Sequence, residues 1–344
     1  MSSLKEVAAR AGVSTATVSH VTNKSAYVSS TLRERVLKAM RELNYHPNAV
    51  ARTLKTKKSK TVGIIIPDIA NPFFPMVVRG AEDELRHNGY TLILGNSDGD
   101  LAKEELYYNT FHSKRVDGML LIVSPSSSPP EYLRRDKHKD VATPIVYVDR
   151  FHRGLRGDVV MADNAGGSYQ AVCHLVDAGH RRIGIITGPL ELTNARLRLE
   201  GYKRALREHQ LPITDPLIRI GKFDVQSGYQ ETKELLKLAE PPTGVFICNA
   251  LMSLGFLRAL KETGVSCPRD VALVTFDDMD WFDLFQPRIT AVSQPAYELG
   301  AKAAELLVGR IAGELHGPPC HKILPTKLVI RDSSSSTKES SGQI

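Results

Sequence analysis

Val62-Gly-Ile-Ile-Ile66 is a short, almost uninterrupted run of valine and isoleucine that begins where a basic segment ends. Similar runs recur along the chain and alternate with segments of helical spacing; they are Thr91–Leu94, Met119–Val123, Ile145–Val148, Ile183–Ile186, Val245–Cys248 and Val271–Phe276. Apolar runs of this length, separated by helices, are typical of buried parallel strands joined by crossover connections. The pattern therefore predicts an α/β fold with doubly wound parallel sheets.

The number of these runs also bears on how the chain is divided. Seven such runs over about 270 residues are more than one compact sheet usually holds, so we expect two subdomains with a cleft between them. Ligands of such sheets bind at the carboxyl ends of the strands. The composition predicts a surface loop at Ser124–Pro130 and a disordered tail over the serine-rich end from Ser333 to Ile344.

Charge is distributed unevenly along the chain. Among 344 residues, 45 Lys and Arg stand against 38 Asp and Glu, which gives a net charge of +7. Residues 1–60 carry twelve basic and three acidic side chains, so that segment has a net charge of +9 and the remainder −2. The sequence therefore describes a small cationic head on a nearly neutral body and excludes a uniformly basic protein.

Several classes of protein are disfavoured by what the chain lacks. Its apolar runs are far shorter than the ~20 residues of a membrane span, and no apolar signal-peptide core opens it; we therefore expect no membrane association and a cytoplasmic location. The four cysteines are widely spaced, without the pattern of a zinc site or a disulfide framework, and are predicted to be reduced and structural: Cys173, Cys248, Cys267 and Cys320. We expect neither a metal nor a cofactor.

Two rival functions remain to be weighed. Carboxylates cluster at Asp277, Asp278, Asp280 and Asp283, but no Walker motif, GxSxG motif or metal-ligand spacing accompanies them, so we do not expect an enzyme. A stand-alone sugar-binding protein would require export and would have no use for the cationic head. Both readings are therefore less favourable than one that uses the head and the body together.

The head has the pattern of a helix-turn-helix. Ser3 and Glu6 form a capping-box signature for a helix from about Leu4 to Ala11, and Gly12 permits a sharp turn. Ser14 is placed to cap a second helix, from Thr15 to about Thr22. Ser29 is placed to cap a third helix, in which one apolar stripe is predicted to be core: Leu32, Val36, Met40 and Leu43.

The second helix is a candidate recognition helix. It presents small or donor-bearing side chains outward at Thr15, Ala16, Ser19 and His20, which is how such a helix meets base edges in the major groove. An ordinary solvated helix face would look similar. The twelve nearby cations favour DNA binding, because neutralisation of phosphates supplies most nucleic-acid affinity.

A short segment follows the head. Asn48 to Lys55 is helix-compatible but too short to be stable alone in water, so we expect it to order only on binding and to act as a hinge. Leu54 is an apolar side chain among cations, as expected of a wedge inserted between base pairs from the minor groove. The alternative is an ordinary linker that happens to contain a leucine.

Three motifs of the head resemble a known family. They are Leu4-Lys-Glu-Val-Ala-Ala-Arg-Ala-Gly-Val-Ser-Thr-Ala-Thr-Val-Ser-His-Val-Thr-Asn23, Leu43-Asn-Tyr-His-Pro-Asn48 and Ala51-Arg-Thr-Leu54. The chain resembles the lac-repressor (LacI/GalR) family of bacterial transcription regulators from Leu4 to about Arg331. The resemblance implies a repressor that binds a palindromic double-stranded operator on the nucleoid as a homodimer, and whose operator affinity is controlled by a small-molecule effector. The DNA-binding residues it implies are Ser14, Thr15, Ala16, Thr17, Ser19, His20, Asn23, Ala51, Arg52, Leu54 and Lys55.

The body is similar to the ribose-operon-repressor type of that family, and so to periplasmic sugar-binding proteins. The similarity is carried by motifs such as Asn71-Pro-Phe-Phe74, Val148-Asp-Arg150, Phe276-Asp277 and Ser293-Gln-Pro295. It implies ten effector-binding residues, namely Asn71, Phe73, Phe74, Asp149, Arg150, Arg198, Phe223, Asn249, Asp277 and Gln294. Such side chains suit a monosaccharide such as ribose or another pentose or hexose, because polar groups pair with hydroxyls while aromatic rings cover C–H faces.

Two departures from the family pattern leave the effector open. Ala250 replaces the aspartate that usually follows Asn249, and Trp281, the one tryptophan, is placed to stack on a ligand or pack at the cleft rim. The pair Asp149-Arg150 also suits a sugar acid or a sugar phosphate, and a purine is a further alternative.

The resemblance also sets the expected domain boundaries. Residues 1–46 form the DNA-binding domain, 47–60 the hinge helix and linker, and 61–332 the domain for effector binding and dimerisation. Within it, we expect an N-subdomain of about 61–161 and 292–322 and a C-subdomain of about 162–291 and 323–332. Residues 333–344 form the expected tail.

Overall fold

The computed structural model describes residues 3–23, 26–45, 58–135, 143–152 and 154–335. These residues belong to two compact units, which span Met1–Ser59 and Lys60–Ile344. The predicted hinge segment, Asn48–Lys55, lies outside the described residues.

The first unit contains three helices, α1 Leu4–Ala11, α2 Thr15–Asn23 and α3 Ser30–Glu42. The capping box of α1 is formed, since the Glu6 N–H donates to Ser3 Oγ at 3.3 Å and the Ser3 N–H donates to Glu6 Oε2 at 3.1 Å. Gly12 ends α1 in the left-handed conformation at φ 62°, and the Thr17 N–H donates to Ser14 Oγ at 3.1 Å at the start of α2. The first two predicted helices and their caps are confirmed.

The three helices enclose a small apolar core. Its buried members are Val7, Ala8, Ala11, Val18, Val21, Val36 and Ala39. Arg35 of α3 donates to the carbonyl of Ala11 at 2.6 Å and so holds α3 against the turn. The prediction for Ser29 was wrong: its side chain makes no capping bond, and its carbonyl instead accepts from the Arg33 N–H at 2.9 Å.

The second unit is made of two lobes, each built around a six-stranded sheet. The strands are β1 Thr61–Ile66, β2 Thr91–Asn96, β3 Gly118–Leu121, β4 Ile145–Val148, β5 Asp158–Ala162, β6 Ile183–Thr187, β7 Ile218–Ile220, β8 Gly244–Ile247, β9 Ala272–Phe276, β10 Thr290–Ser293, β11 His321–Leu324 and β12 Lys327–Val329. The order is β11-β5-β4-β3-β1-β2 in the first lobe and β12-β10-β9-β8-β6-β7 in the second. Only the β10–β12 pair among these is antiparallel. The doubly wound parallel architecture is therefore confirmed.

Helices cover both sheets. They are α4 Phe73–His87, α5 Leu101–Ser113, α6 Glu131–Arg135, α7 Asn164–Asp177, α8 Thr193–Glu208, α9 Val225–Leu236, α10 Ala250–Thr263 and α11 Ala296–Ala312. No helix among the described residues is long and apolar enough to cross a membrane. The four cysteines, all within the described part, are free.

The chain passes between the lobes three times, after β5, after β10 and after β11. Each passage falls one or two residues beyond the expected boundary, because the strand continues for as long as a neighbour pairs with it. Ala162 and Leu324 pair with each other in the first lobe, and Ser293 pairs with Lys327 in the second.

The start of the predicted tail also differs from expectation. Residues Asp332–Ser334 form a short 3-10 helix, and Ser333 and Ser334 are fully buried. The Thr290 N–H donates to Ser333 Oγ at 2.8 Å, and Ser333 Oγ donates to the carbonyl of Leu273 at 2.8 Å. These hydroxyls are satisfied inside the second lobe, so polarity alone was a poor guide at these positions; 336–344 lie outside the described residues.

Helices within each lobe approach one another at glycines. In the first lobe, a Cβ at Gly80 of α4 would lie 1.9 Å from the Tyr297 carbonyl oxygen, and one at Gly300 of α11 would lie 1.9 Å from that of Val77. In the second lobe, Gly255 of α10 meets α9 in the same way, at 2.1 Å from a carbonyl oxygen. At these crossings only glycine lets the two backbones touch.

Candidate functional site

The predicted recognition face of α2 is open to solvent. Thr15, Ala16 and His20 are exposed, while Ser19 and Thr17 are half-buried. Val18 and Val21 point the opposite way, into the core. Ser14 is exposed at the helix start, and Asn23 is its last residue. The other predicted DNA contacts, Ala51, Arg52, Leu54 and Lys55, lie outside the described residues.

A cavity of about 650 Å³ lies in the second unit and is lined by loops of both lobes at the carboxyl ends of their strands. All ten effector residues inferred from the sequence line it: Asn71, Phe73, Phe74, Asp149, Arg150, Arg198, Phe223, Asn249, Asp277 and Gln294. We call this cavity the cleft. Trp281 does not line it. It lies in the 3-10 turn Asp280–Leu284 and packs against the second-lobe core, which favours packing over a ligand contact as its role.

The first-lobe wall of the cleft is aromatic. The rings of Phe73 and Phe74 meet edge to face, with centroids 5.2 Å apart, at the start of α4. Asn71 holds this start in place, because its Oδ1 accepts from the Phe73 N–H at 3.1 Å. The Arg150 guanidinium lies 5.9 Å from the centre of the Phe74 ring. An apolar surface therefore lies directly beside a cation.

The second-lobe wall is centred on Arg198, whose side chain is only 2 % exposed. Its guanidinium stacks on the Phe276 ring, 3.7 Å from the centroid, and its Nε donates to Asn164 Oδ1 at 2.8 Å. Asn249 caps α10 by accepting from the Met252 N–H at 2.9 Å. Fixed side chains of this kind present a preformed surface to a ligand.

Three cleft residues adopt backbone conformations that are unusual for residues other than glycine. Asp149, Phe223 and Asp277 have φ values of 63°, 63° and 71°. Asp149 directly follows β4 and Asp277 directly follows β9, so the left-handed turn aims each carboxylate across the strand ends. Such strain persists where the surrounding structure enforces it, and it concentrates at binding sites.

The two cleft aspartates are buried, where a negative charge is costly. Burial raises the pKa of Asp149, and Arg150 and Arg198 oppose that rise. Burial likewise raises the pKa of Asp277, against the opposing effect of Arg198 and of the hydrogen bond from Gln294. Among the described residues, the buried acceptors Asp149 Oδ1 and Gln294 Oε1 have no hydrogen-bond partner. The cleft therefore offers acceptors to a ligand that can donate.

Comparison with known proteins extends this picture. The description "Bacterial regulatory proteins, lacI family" fits residues 3–48, and "Periplasmic binding protein-like domain" fits residues 172–334. The chain is 36 % identical over 338 residues to the ribose operon repressor of Haemophilus influenzae, covering 98 % of this chain and 100 % of that one. It belongs to the lacI family.

Other members of the lacI family are similar over almost the whole chain. The transcriptional repressor PurR of Aliivibrio salmonicida is 34 % identical, covering 92 % of this chain and 94 % of that one. The lac repressor dimer bound to operator and the anti-inducer ONPF has a TM-score of 0.86 at 28 % identity, covering 97 % and 99 % of the two chains. The predicted family and fold are thus confirmed.

In this lacI-family chain the cleft also contains residues that the sequence analysis missed. They are Pro67, Asp68, Asp98, Gly99, Pro125, Pro189, Leu192, Asn194, Lys222 and Asp224. Asn194 links the lobes, since its Nδ2 donates to Asp149 Oδ2 at 2.9 Å; its spacing one turn before Arg198 on α8 was the available signal. Ser124 is buried and Pro125 lines the cleft, so the segment Ser124–Pro130 is not simply a surface loop.

Ala250, the departure from the family pattern, is buried at the start of α10. Its N–H points to Asp277 Oδ2 at 3.4 Å. The backbone of this residue thus supports a cleft carboxylate, whatever side chain stands there.

Proposed function

We propose that this chain is a transcriptional repressor that binds a palindromic DNA operator as a homodimer and whose operator affinity is set by a neutral monosaccharide in the cleft. The observation that carries the effector class is the pair of buried acceptors without partners, Asp149 Oδ1 and Gln294 Oε1. Sugar hydroxyls donate to such groups, and a buried acceptor left unpaired is costly.

The charges of the cleft support a neutral sugar over a sugar acid or phosphate. Arg150 and Arg198 act on Asp149, and Arg198 acts on Asp277. Each guanidinium therefore already has a carboxylate within electrostatic reach. A phosphate or carboxylate group on the ligand would bring a further negative charge without donors for the open acceptors. The aromatic rings of Phe73, Phe74 and Phe223 would pack against the C–H faces of the sugar.

A purine is the second candidate. The three phenylalanine rings would also stack on a flat base, and the chain is 34 % identical to a protein named PurR. The ribose operon repressor is 36 % identical over a greater share of the chain.

The DNA-binding half of the proposal rests on the head. Its net charge of +9 and the exposed face of α2 suit phosphate and base contacts. The similar lac repressor structure is a dimer bound to operator, and a two-fold dimer fits a palindromic site. We propose that closure of the cleft alters how the lobes are oriented, and that this sets whether the two hinge segments can order on the operator.

Two assays on the full-length chain test the proposal. The first selects operator sequences from random duplex DNA and then measures affinity for the selected site with and without added sugar. The second screens neutral pentoses and hexoses, sugar acids, sugar phosphates and purines for a rise in melting temperature, since a ligand of the folded state stabilises it. A hit among purines with no hit among sugars would show that the effector is a purine and not a sugar. Failure to select any DNA sequence would contradict the proposed repressor function.

Salt is expected to affect the two activities very differently. Operator affinity should fall steeply as salt rises, with a log–log slope of about −0.9 for each phosphate neutralised, because the cations lie in the head. Effector affinity should hardly change, because the cleft charges are buried and screened little. Both affinities should be measured between about 50 and 200 mM salt, a range over which phosphate contacts change DNA affinity strongly. Parallel slopes for the two ligands would contradict this division of charge.

The pH dependence of effector affinity follows from the two cleft aspartates. Sugar hydroxyls donate to ionised carboxylates, so affinity should be complete above the aspartates' pKa in the free cleft and be lost as pH falls through it. Because burial raises the pKa of Asp149 and Asp277 above the ordinary 3.8, the loss should begin at a higher pH than for exposed aspartates. Calorimetric titration over an acidic pH series measures it, with thermal unfolding in the same buffers as the control. Constant affinity down to the pH of unfolding would contradict the role of these groups.

A further inference from the structure

A third carboxylate lies behind the first-lobe wall of the cleft without lining it. Glu104 of α5 has no exposed surface. Its Oε2 accepts from the Ser124 N–H at 2.5 Å, and its Oε1 accepts from the Tyr132 hydroxyl. A buried carboxylate is expensive unless paired, so its position calls for a partner of positive charge.

That partner is reached through a single peptide group. The Ser124 N–H that donates to Glu104 belongs to the same peptide unit as the Val123 carbonyl, which accepts from Arg150 Nε at 2.8 Å. In a trans peptide the N–H and C=O point in opposite directions. The carboxylate and the guanidinium therefore sit at the two ends of one aligned dipole, an arrangement in which each hydrogen bond strengthens the other.

The electrostatics agree with this link. Burial raises the pKa of Glu104, and the bonds from Ser124 and Tyr132 together with the charge of Arg150 oppose the rise. Burial and the neighbouring Glu104 raise the pKa of Tyr132, so its hydroxyl keeps its proton and acts as the donor. Burial lowers the pKa of Arg150, whereas Asp149 and Glu104 both raise it.

We propose that Glu104 is a specificity-determining residue, the buried counter-charge that holds Arg150 through the Val123–Ser124 peptide and makes the cleft reject anionic effectors. The proposal rests on the cleft being the effector site. With Glu104 ionised, the buried charges are three carboxylates and two guanidinium groups: Asp149, Asp277 and Glu104 against Arg150 and Arg198. The less buried charges that line the cleft add three carboxylates and one ammonium group: Asp68, Asp98 and Asp224 against Lys222. An anionic ligand then meets a surplus of negative charge, whereas a neutral polyol does not.

The test compares Glu104→Gln with Glu105→Gln in the full-length chain. Glu105 is the next residue of α5 and is exposed, so it controls for the loss of one charge. Calorimetry measures the affinities for ribose, ribonate and ribose 5-phosphate. Glu104→Gln should raise the anion-to-ribose affinity ratio by about tenfold or more, as removal of a buried charge nearby allows, and Glu105→Gln should leave it unchanged. An unchanged ratio in Glu104→Gln would overturn the proposal.

Tyr132→Phe tests whether the ionised form of Glu104 matters. It removes one of the donors that oppose the rise of the Glu104 pKa, so it should move the anion-to-ribose ratio in the same direction as Glu104→Gln, and the shift should shrink as pH rises. A ratio that moved in the opposite direction would overturn the proposal.

A double-mutant cycle tests the link without any ligand. Glu104→Gln should lower the melting temperature by several degrees in the wild type and by clearly less in an Arg150→Met background, because the two groups then no longer interact. Additive effects would overturn the Glu104–Arg150 link and leave the proposed function intact. If the wild type ignored every sugar, the proposed effector class would fail, while the cycle would still decide the link.

Discussion

The Asp277→Asn variant is expected to lose the response of operator binding to the effector while binding the operator normally in its absence. The Asp277 carboxylate is only 5 % exposed and is held by Gln294 and the Ala250 N–H. Asparagine keeps the shape but removes the charge beside Arg198 and replaces an acceptor with a donor. The loss of two charge-assisted hydrogen bonds between Asp277 and the effector, at about 1.5–3 kcal/mol each, corresponds to a loss of effector affinity of at least about 100-fold.

The measurement is operator affinity over a titration with the effector found by the thermal-shift screen. Asp280→Asn is the matched control, because Asp280 is an exposed carboxylate three residues further along the chain; its titration should overlay that of the wild type. A normal effector response in Asp277→Asn would remove Asp277 from the site. Equal melting temperatures of the two variants without ligand would show that the fold is intact.

The Leu54→Ala variant is expected to lose specific operator binding by about 100-fold while keeping its non-specific binding to DNA. If Leu54 inserts between base pairs, its burial there supplies the free energy that offsets unstacking and bending of the operator. Non-specific binding rests on phosphate contacts and needs no wedge. The affinity for the selected operator measures specific binding, and the affinity for a scrambled duplex of equal length measures non-specific binding.

Lys55→Ala is the control within the same segment. Loss of a phosphate contact should weaken both DNA affinities by a similar factor and make the salt slope shallower by about one. If Leu54→Ala behaved in the same way, with both affinities falling together, the segment would be a linker and the leucine incidental.

The sequence predicts most of the strands that form an apolar run, but it misses the buried strand Asp158–Ala162 and predicts short, partly exposed strands poorly. The runs that begin at Val62 and Ile183 are buried parallel strands. The three-residue strand Ile218–Ile220 and the edge strand His321–Leu324 are partly exposed, so they lack the hydrophobic signal. Their pairing depends on neighbours distant in the chain, which no local pattern encodes.

The cleft could be predicted as a set of side chains but not as a network. The family resemblance supplied ten lining residues, because each stands in one of the family's motifs. Asn194 and Glu104 stand in no such motif, and their partners come from loops that only the folded sheet brings together. Trp281 could not be assigned to ligand or core from the sequence, because aromatic residues near a strand end suit both.

The glycine crossings described above determine where each lobe can yield. Where Gly80 and Gly300 let two helices touch, and where Gly255 does the same in the other lobe, there is no layer of side chains that could slide or compress. We therefore expect each lobe to deform little at these helix pairs when a ligand binds. A movement of one lobe relative to the other would then concentrate in the three chain segments that connect them.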